Sequence, residues 1–175
     1  MSRRLLKKRS ILAAAVIGVV SAVLVGVGAA TTNPANAPTG THFKSGSASC
    51  SVTGTTVNCS GYTLAGVGNT NATAELTATY TATVVCINGG GNPSDSQHQG
   101  SFSQSTGPIQ FQSKNGNLTV SPTSVSAPTE QQFLAQQTCP NPNWTPTLGS
   151  GITLSGFTYT LTFAGFSGAY ITITG

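Results

Sequence analysis

Beyond its first nine positions the chain carries three carboxylates, Glu75, Asp95 and Glu130, two imidazoles, His42 and His98, and two amines, Lys44 and Lys114. Glycoside hydrolysis needs a pair of carboxylates flanking the scissile bond, and these three would have to supply it. Glu75 stands among threonines in an alternating run, and Glu130 opens a helical stretch, where a negative charge complements the helix dipole. Both read as solvated structural residues. Asp95 and His98, with Ser94 and Ser96 beside them, are where acid, base and hydroxyl cluster, which is the inventory of a hydrolytic or weak metal site. A triad, however, needs rigid support, and the Gly/Asn/Pro/Ser/Gln stretch from Asn88 to Gly100 reads as an exposed loop. His42 reads as a solvated side chain. No G-x-S-x-G, phosphate loop or H-E-x-x-H occurs after the leader. The sequence therefore predicts a protein that is not an enzyme, with no catalytic residue, no cofactor and no metal.

The four cysteines, Cys50, Cys59, Cys86 and Cys139, are spaced by 9, 27 and 53 residues, without the close pairs of a zinc site. An even count behind an export leader reads as two disulfides. Gly54-Thr55 is a two-residue hairpin turn of the Gly-X type. It sets Thr53 opposite Thr56, Val52 opposite Val57 and Cys50 opposite Cys59. Counting outward from the turn, the cysteines fall on a non-hydrogen-bonded pair, where Cα atoms approach to about 4.5 Å, within disulfide reach. Cys86 and Cys139 then pair by elimination.

For binding, Trp144 stands in a Pro/Asn-rich segment, and with Tyr62, Tyr159 and Tyr170 it is the candidate for a flat platform under a sugar ring or peptide. The competing reading packs Trp144 on a sheet edge as a lid to the core. Four Asn-x-Ser/Thr matches, at Asn58, Asn71, Asn117 and Asn143, are what an Asn/Thr-rich chain produces by chance, and a bacterial-type leader makes them silent. A Lys–Asn crosslink beside a buried acid would have to use Lys44 or Lys114.

The elements that must position these residues are strands. From Pro38 onward there are 25 Thr, 17 Ser and 18 Gly. Threonine is β-branched and suits two-faced strands. Ala72, Ala74, Leu76, Ala78, Tyr80, Ala82, Val84 and Cys86 alternate with Thr73, Glu75, Thr77, Thr79, Thr81 and Thr83. That period of two marks a strand with one buried and one solvated face. Its length exceeds ordinary strands, so a bend or bulge is expected within it, and its many alanines imply a closely approaching opposite layer. A second hairpin runs from Ile109 to Lys114, turns at Asn115-Gly116 and returns over Asn117 to Val120. Pro122 to Pro128 reads as a connector. Residues 129–137 predict a short helix with Thr129 as N-cap and Gln132 in the capping-box position. The segment from Cys139 to Pro146 is too rich in proline for a helix or central strand. Alternating runs follow at 152–154 and 157–163, with a last strand over 169–174. Together these predict an all-β fold, a single antiparallel β-sandwich, Ig-like or jelly-roll-like, with one short helix near 129–137 and two disulfides.

The formal charge of +4 comes from the leader, since five of the seven basic residues lie in the first nine positions. A basic start, an apolar run from Ile11 to about Ala30 and small residues make an export signal. The expected division is a signal peptide over 1–37, with cleavage within 29–37, a flexible lead-in over 38–47 and the sandwich over 48–175. An uncleaved anchor with its C-terminus outside is the alternative, and Ser2-Arg3-Arg4-Leu5-Leu6 also resembles a twin-arginine motif. Without the leader, two positive residues face three negative ones. So weak a balance argues against nucleic acid or phosphate recognition, and with the leader removed no membrane partner is expected.

Several segments resemble those of small secreted proteins of actinomycetes: the leader, the Gly66-to-Thr73 turn into a Thr/Ala strand, the Cys139-Pro140-Asn141-Pro142 segment with Trp144, and the Thr160-to-Phe166 strand. That resemblance brings no activity or site. The expectation is a secreted, extracellular, non-catalytic structural or binding module of the cell envelope or secretome, with wall polysaccharide or a secreted protein as partner. The alternatives are an inhibitor or effector presenting the 88–100 loop to a protein partner, and a carbohydrate-binding module using Trp144.

Overall fold

In the computed structural model, which describes residues 28–175 with the side chains of residues 95 and 96 left aside, the alternating Thr/Ala run from Ala72 to Ile87 is one unbroken strand. Its residues alternate between buried and half-buried along the whole length, as a two-faced strand requires. In chain order the strands are β1 (Gly28–Ala29), β2 (Thr31–Thr32), β3 (His42–Ser45), β4 (Ser49–Thr53), β5 (Thr56–Cys59), β6 (Tyr62–Ala65), β7 (Ala72–Ile87), β8 (Pro93–Ser105), β9 (Ile109–Phe111), β10 (Ser113–Lys114), β11 (Asn117–Val120), β12 (Thr123–Val125), β13 (Thr145–Leu148), β14 (Thr153–Phe163) and β15 (Ile171–Thr174). One α-helix, α1 (Glu130–Leu134), lies between β12 and β13.

The principal sheet is built on β7. Along one edge β7 pairs with β9 and then β8, and along the other with β14 and then β13, while β15 and β2 extend the sheet beyond β14. Two four-stranded sheets, β1-β4-β5-β12 and β10-β11-β6-β3, contribute to one core with the inner face of β7. Among the described residues every strand pairing is antiparallel. The all-β, sandwich-like fold expected from the alternation is therefore present. Ala72, Ala74 and Ala78 lie at 2% exposure or less on the same face as the bulkier Leu76 and Tyr80, and these small side chains let the facing sheets approach.

Three phenols tie the layers together. The Tyr62 hydroxyl from β6 meets the Tyr159 hydroxyl from β14 at 2.9 Å in the core. The Tyr80 hydroxyl donates to the carbonyl of Thr55 in the β4–β5 turn at 3.0 Å. A buried hydroxyl without a partner costs roughly 1–3 kcal/mol, and among the described residues no buried side-chain nitrogen or oxygen lacks one. Burial, reinforced by Tyr159, raises the Tyr62 pKa well beyond the ordinary phenol range, and burial raises that of Tyr159 as well.

The far third of β7 has its own cover. Ala82 and Val84 pack against Phe133 of α1, which is fully buried. A helix this short is unstable alone. It is held by the expected capping box, in which Thr129 Oγ1 accepts from the Gln132 amide at 3.3 Å and Gln132 Oε1 accepts from the Thr129 amide at 2.9 Å. It is also held by the Cys86–Cys139 disulfide just beyond it. Cys50 and Cys59 form the other bridge, in the register derived from the Gly54-Thr55 turn, with Cα atoms 4.0 Å apart.

Several expectations need correction. β7 contains no bulge of its own: Ser155 of β14 is an extra residue, and residues 94–96 of β8 stand against Cys86 alone, so its partners absorb the mismatch. Residues 88–100 are not a loop. Only 88–92 turn, and β8 runs from Pro93 to Ser105 along β7. Its Ser/Gln composition is a poor strand signal, but the open edge of β7 satisfies its backbone, and strand preference depends on such context. The first arm of the second hairpin divides at Gln112, with Ile109–Phe111 on β7 and Ser113–Lys114 on β11. The 122–128 connector contains β12, paired with β5.

The sandwich also begins before residue 48. β3 lies in the supposed lead-in, and β1 and β2 lie within the supposed leader, paired with β4 and β15. Gly28 runs so close to β15 that a Cβ there would lie 2.5 Å from the Thr174 carbonyl oxygen. The rest of the expected leader, residues 1–27, lies outside the described residues. Among the described residues no helix is long and apolar enough to cross a membrane.

The two bridges close loops of very different length. Replacing Cys86 and Cys139 by alanine is expected to cost about 4 kcal/mol, and replacing Cys50 and Cys59 about 2.5 kcal/mol, on loop-closure entropy. Urea unfolding of the two double variants measures this; equal losses would contradict it. The buried phenols predict a pH dependence of definite sign. An unfolded chain ionises its tyrosines at about pH 10, while Tyr62 and Tyr159 stay protonated in the fold to higher pH. Stability should hold below that pH and fall above it by about 1.4 kcal/mol per pH unit for each retained phenol. Urea unfolding across this range checks it, and Y62F/Y159F should show the shallower fall.

Candidate functional site

The outer face of the principal sheet is where the threonines of β7 point, and the register aligns them with hydroxyls on the neighbouring strands. Thr77 stands between Ser105 and Thr158, and Thr158 stands beside Thr174. One row along, Glu75 is followed by Thr160, Thr172 and Thr31. In the other direction Thr79 lies between Ser103 and Gly156, and Thr81 between Ser101 and Thr153. Successive rows are two residues apart, so the hydroxyls form a mesh of about 6.7 Å along the strands and about 4.8 Å across them. Gly156 lacks a side chain at the middle of this mesh. A shallow depression of about 460 Å³ opens there, lined by Thr77, Thr79, Ser155, Gly156, Phe157, Thr158 and Gly175.

The carboxylates do not converge on this face. Glu75 accepts a hydrogen bond from Ser105 Oγ at 2.7 Å. Glu130 lies in the first turn of α1, which packs on the opposite side of β7 through Phe133. Asp95 belongs to the β8 bulge beside Cys86, with Gln97 opposite Val85. Val85 is ten positions along β7 from Glu75, or about 33 Å. Glycosidase pairs lie about 5–10 Å apart, so neither Glu130 nor Asp95 is placed to complete such a pair with Glu75. His98 is in β8 opposite Val84 rather than in a loop. Among the described residues no group of three or more His, Cys, Asp or Glu side chains is placed to hold a metal ion.

The chain matches no family model, no curated protein and no solved structure.

The expected aromatic platform is not assembled. Tyr62, Tyr159 and Tyr170 are core residues, at 4%, 1% and 5% exposure. Tyr62 meets Phe43 edge-on with ring centroids 5.5 Å apart, and Tyr170 lies against Phe163 at 5.6 Å. Trp144 is half-buried in the turn before β13, its amide donating to the Asn141 carbonyl at 3.0 Å. The reason is positional: Tyr62 and Tyr159 occupy inward registers of β6 and β14, and Tyr170 points inward from the segment just before β15.

Two residues that the sequence left apart come together. Lys44 of β3 and Lys114 of β10 line one depression on the outer face of the β10-β11-β6-β3 sheet, with Thr63, Gln112, Asn115, Asn117 and Thr119. Lys44 Nζ donates to Asn117 Oδ1 at 3.1 Å, but this contact is exposed and no acid lines the depression, so it lacks the buried acid that a Lys–Asn crosslink would use. Net charge, summed over the chain, conceals this local pairing of like charges.

Proposed function

We propose that this protein is a secreted, non-catalytic binding module of the cell envelope or its surroundings, and that it holds a neutral polysaccharide against the outer face of its principal sheet. The registered hydroxyl mesh on β7, β8, β14 and β15 carries this reading. Threonine offers a hydroxyl for exchange with sugar hydroxyls and a methyl for their C–H faces. On a supported sheet these groups are already ordered, so little conformational freedom is lost on binding. A periodic mesh also suits a periodic polymer, because many weak contacts add along one chain. The basic-then-apolar leader and the two disulfides support export to an oxidising compartment. The separation of Glu75 from the other carboxylates supports binding without turnover.

The test is retention of the purified protein on an insoluble neutral polysaccharide in high salt, with released reducing ends measured in parallel. Retention without release is expected. T77V/T79V/T158V keeps the shape and strand preference of these residues while removing three hydroxyls, and should weaken retention at least tenfold at unchanged melting temperature. W144A should be retained like the parent chain. Undiminished retention of the triple variant, or reducing ends released in proportion to protein, contradicts the reading.

A further inference from the structure

We propose that the depression between Lys44 and Lys114 is a second binding site, for an anionic group carried on a sugar polymer. The site lies on a different sheet from the hydroxyl mesh and does not depend on it. Its volume is about 680 Å³, and its floor is the outward face of β6 and β11. The inward residues of those strands, Tyr62, Leu64, Leu118 and Val120, are buried in the core and fix the floor from below.

Charge is the first argument. Lys44 and Lys114 are the two lysines of the chain beyond its first nine positions, and no carboxylate is among the residues lining the cavity they share. Both amines line this depression, so an anion bound in it is attracted by two charges of opposite sign. Lys44 Nζ is held by Asn117 Oδ1, and Asn117 Nδ2 donates in turn to the Asn115 carbonyl at 2.9 Å, so one amine is already positioned.

The remaining lining selects among anions. It consists of amides and hydroxyls, with Thr63 Oγ1 and Thr119 Oγ1 3.4 Å apart, and it contains no aromatic ring. Nucleic-acid sites rely on aromatic stacking of bases and on many phosphate contacts, whereas here there are two amines and nothing to stack on. An acidic peptide would look for apolar pockets, which the lining also lacks. Amides and hydroxyls around two amines fit a chain of sugar or polyol units bearing a carboxylate or a phosphodiester.

Affinity electrophoresis of the full secreted chain through gels containing polygalacturonate, poly(glycerol phosphate), dextran or single-stranded DNA tests this. Retardation by one or both anionic polyols is expected, and which one retards more identifies the anion as carboxylate or phosphodiester. It should weaken with added salt, exceed any retardation by dextran, and drop at least tenfold in K44Q/K114Q while K44R/K114R retains it. Both variants alter exposed side chains, and equal melting temperatures confirm that the fold is intact. No retardation by either anionic polyol, equal retardation of K44Q/K114Q, or stronger retardation by DNA overturns the proposal. Because T77V/T79V/T158V leaves this depression untouched, it should be retarded like the parent chain, which separates failure of this site from failure of the mesh.

Discussion

Everything in this fold is referred to the period of two that β7 keeps over its sixteen residues. A strand of about 50 Å that keeps one face buried throughout cannot shift by one residue without turning its alanines to water and its threonines into the core. Five other strands and α1 take their position from it: β9 and β8 on one edge, β14 and β13 on the other, and β12 and α1 by contact beneath. Where the partners do not match its length, they bulge and it does not.

That hierarchy explains what could be read in advance. The β4–β5 hairpin, its disulfide, the helix cap and the two faces of β7 depend on residues within about ten positions of one another, where turn chemistry and periodicity act directly. Asn115, with φ of 52°, and Gly116, with φ of 73°, take the turn conformation that the Asn-Gly pair implies. What could not be read depends on distant partners. Ser101, Ser103 and Ser105 become strand because β7 has an edge to offer. Gln112 marks the point where one arm leaves the principal sheet for the smaller one, a corner that no local pattern announces.

The candidate surfaces divide in the same way. Thr77, Thr79 and Thr81 were legible as a solvated face, but their alignment with Thr158, Thr174 and the β8 serines is a property of register. The tyrosines are ambiguous in the sequence because their amphipathic rings suit a binding face and a core equally well; their inward position in β6, β14 and the segment before β15 decides it. Lys44 and Lys114 lie 70 positions apart, on the two edge strands of one four-stranded sheet, and they share a depression because Lys44 reaches Asn117, the cross-strand partner of Lys114.

The scarcity of charge has a colloidal consequence. Most folded proteins stay apart in solution by electrostatic repulsion, which collapses near neutrality of charge or in concentrated salt. A domain with three carboxyls and two amines beyond the first nine positions of the chain has almost no such repulsion to lose. Its dispersion rests on water bound to hydroxyls and amides, which neither acidity nor salinity removes, so a drying or brackish environment alters it little outside the lysine depression.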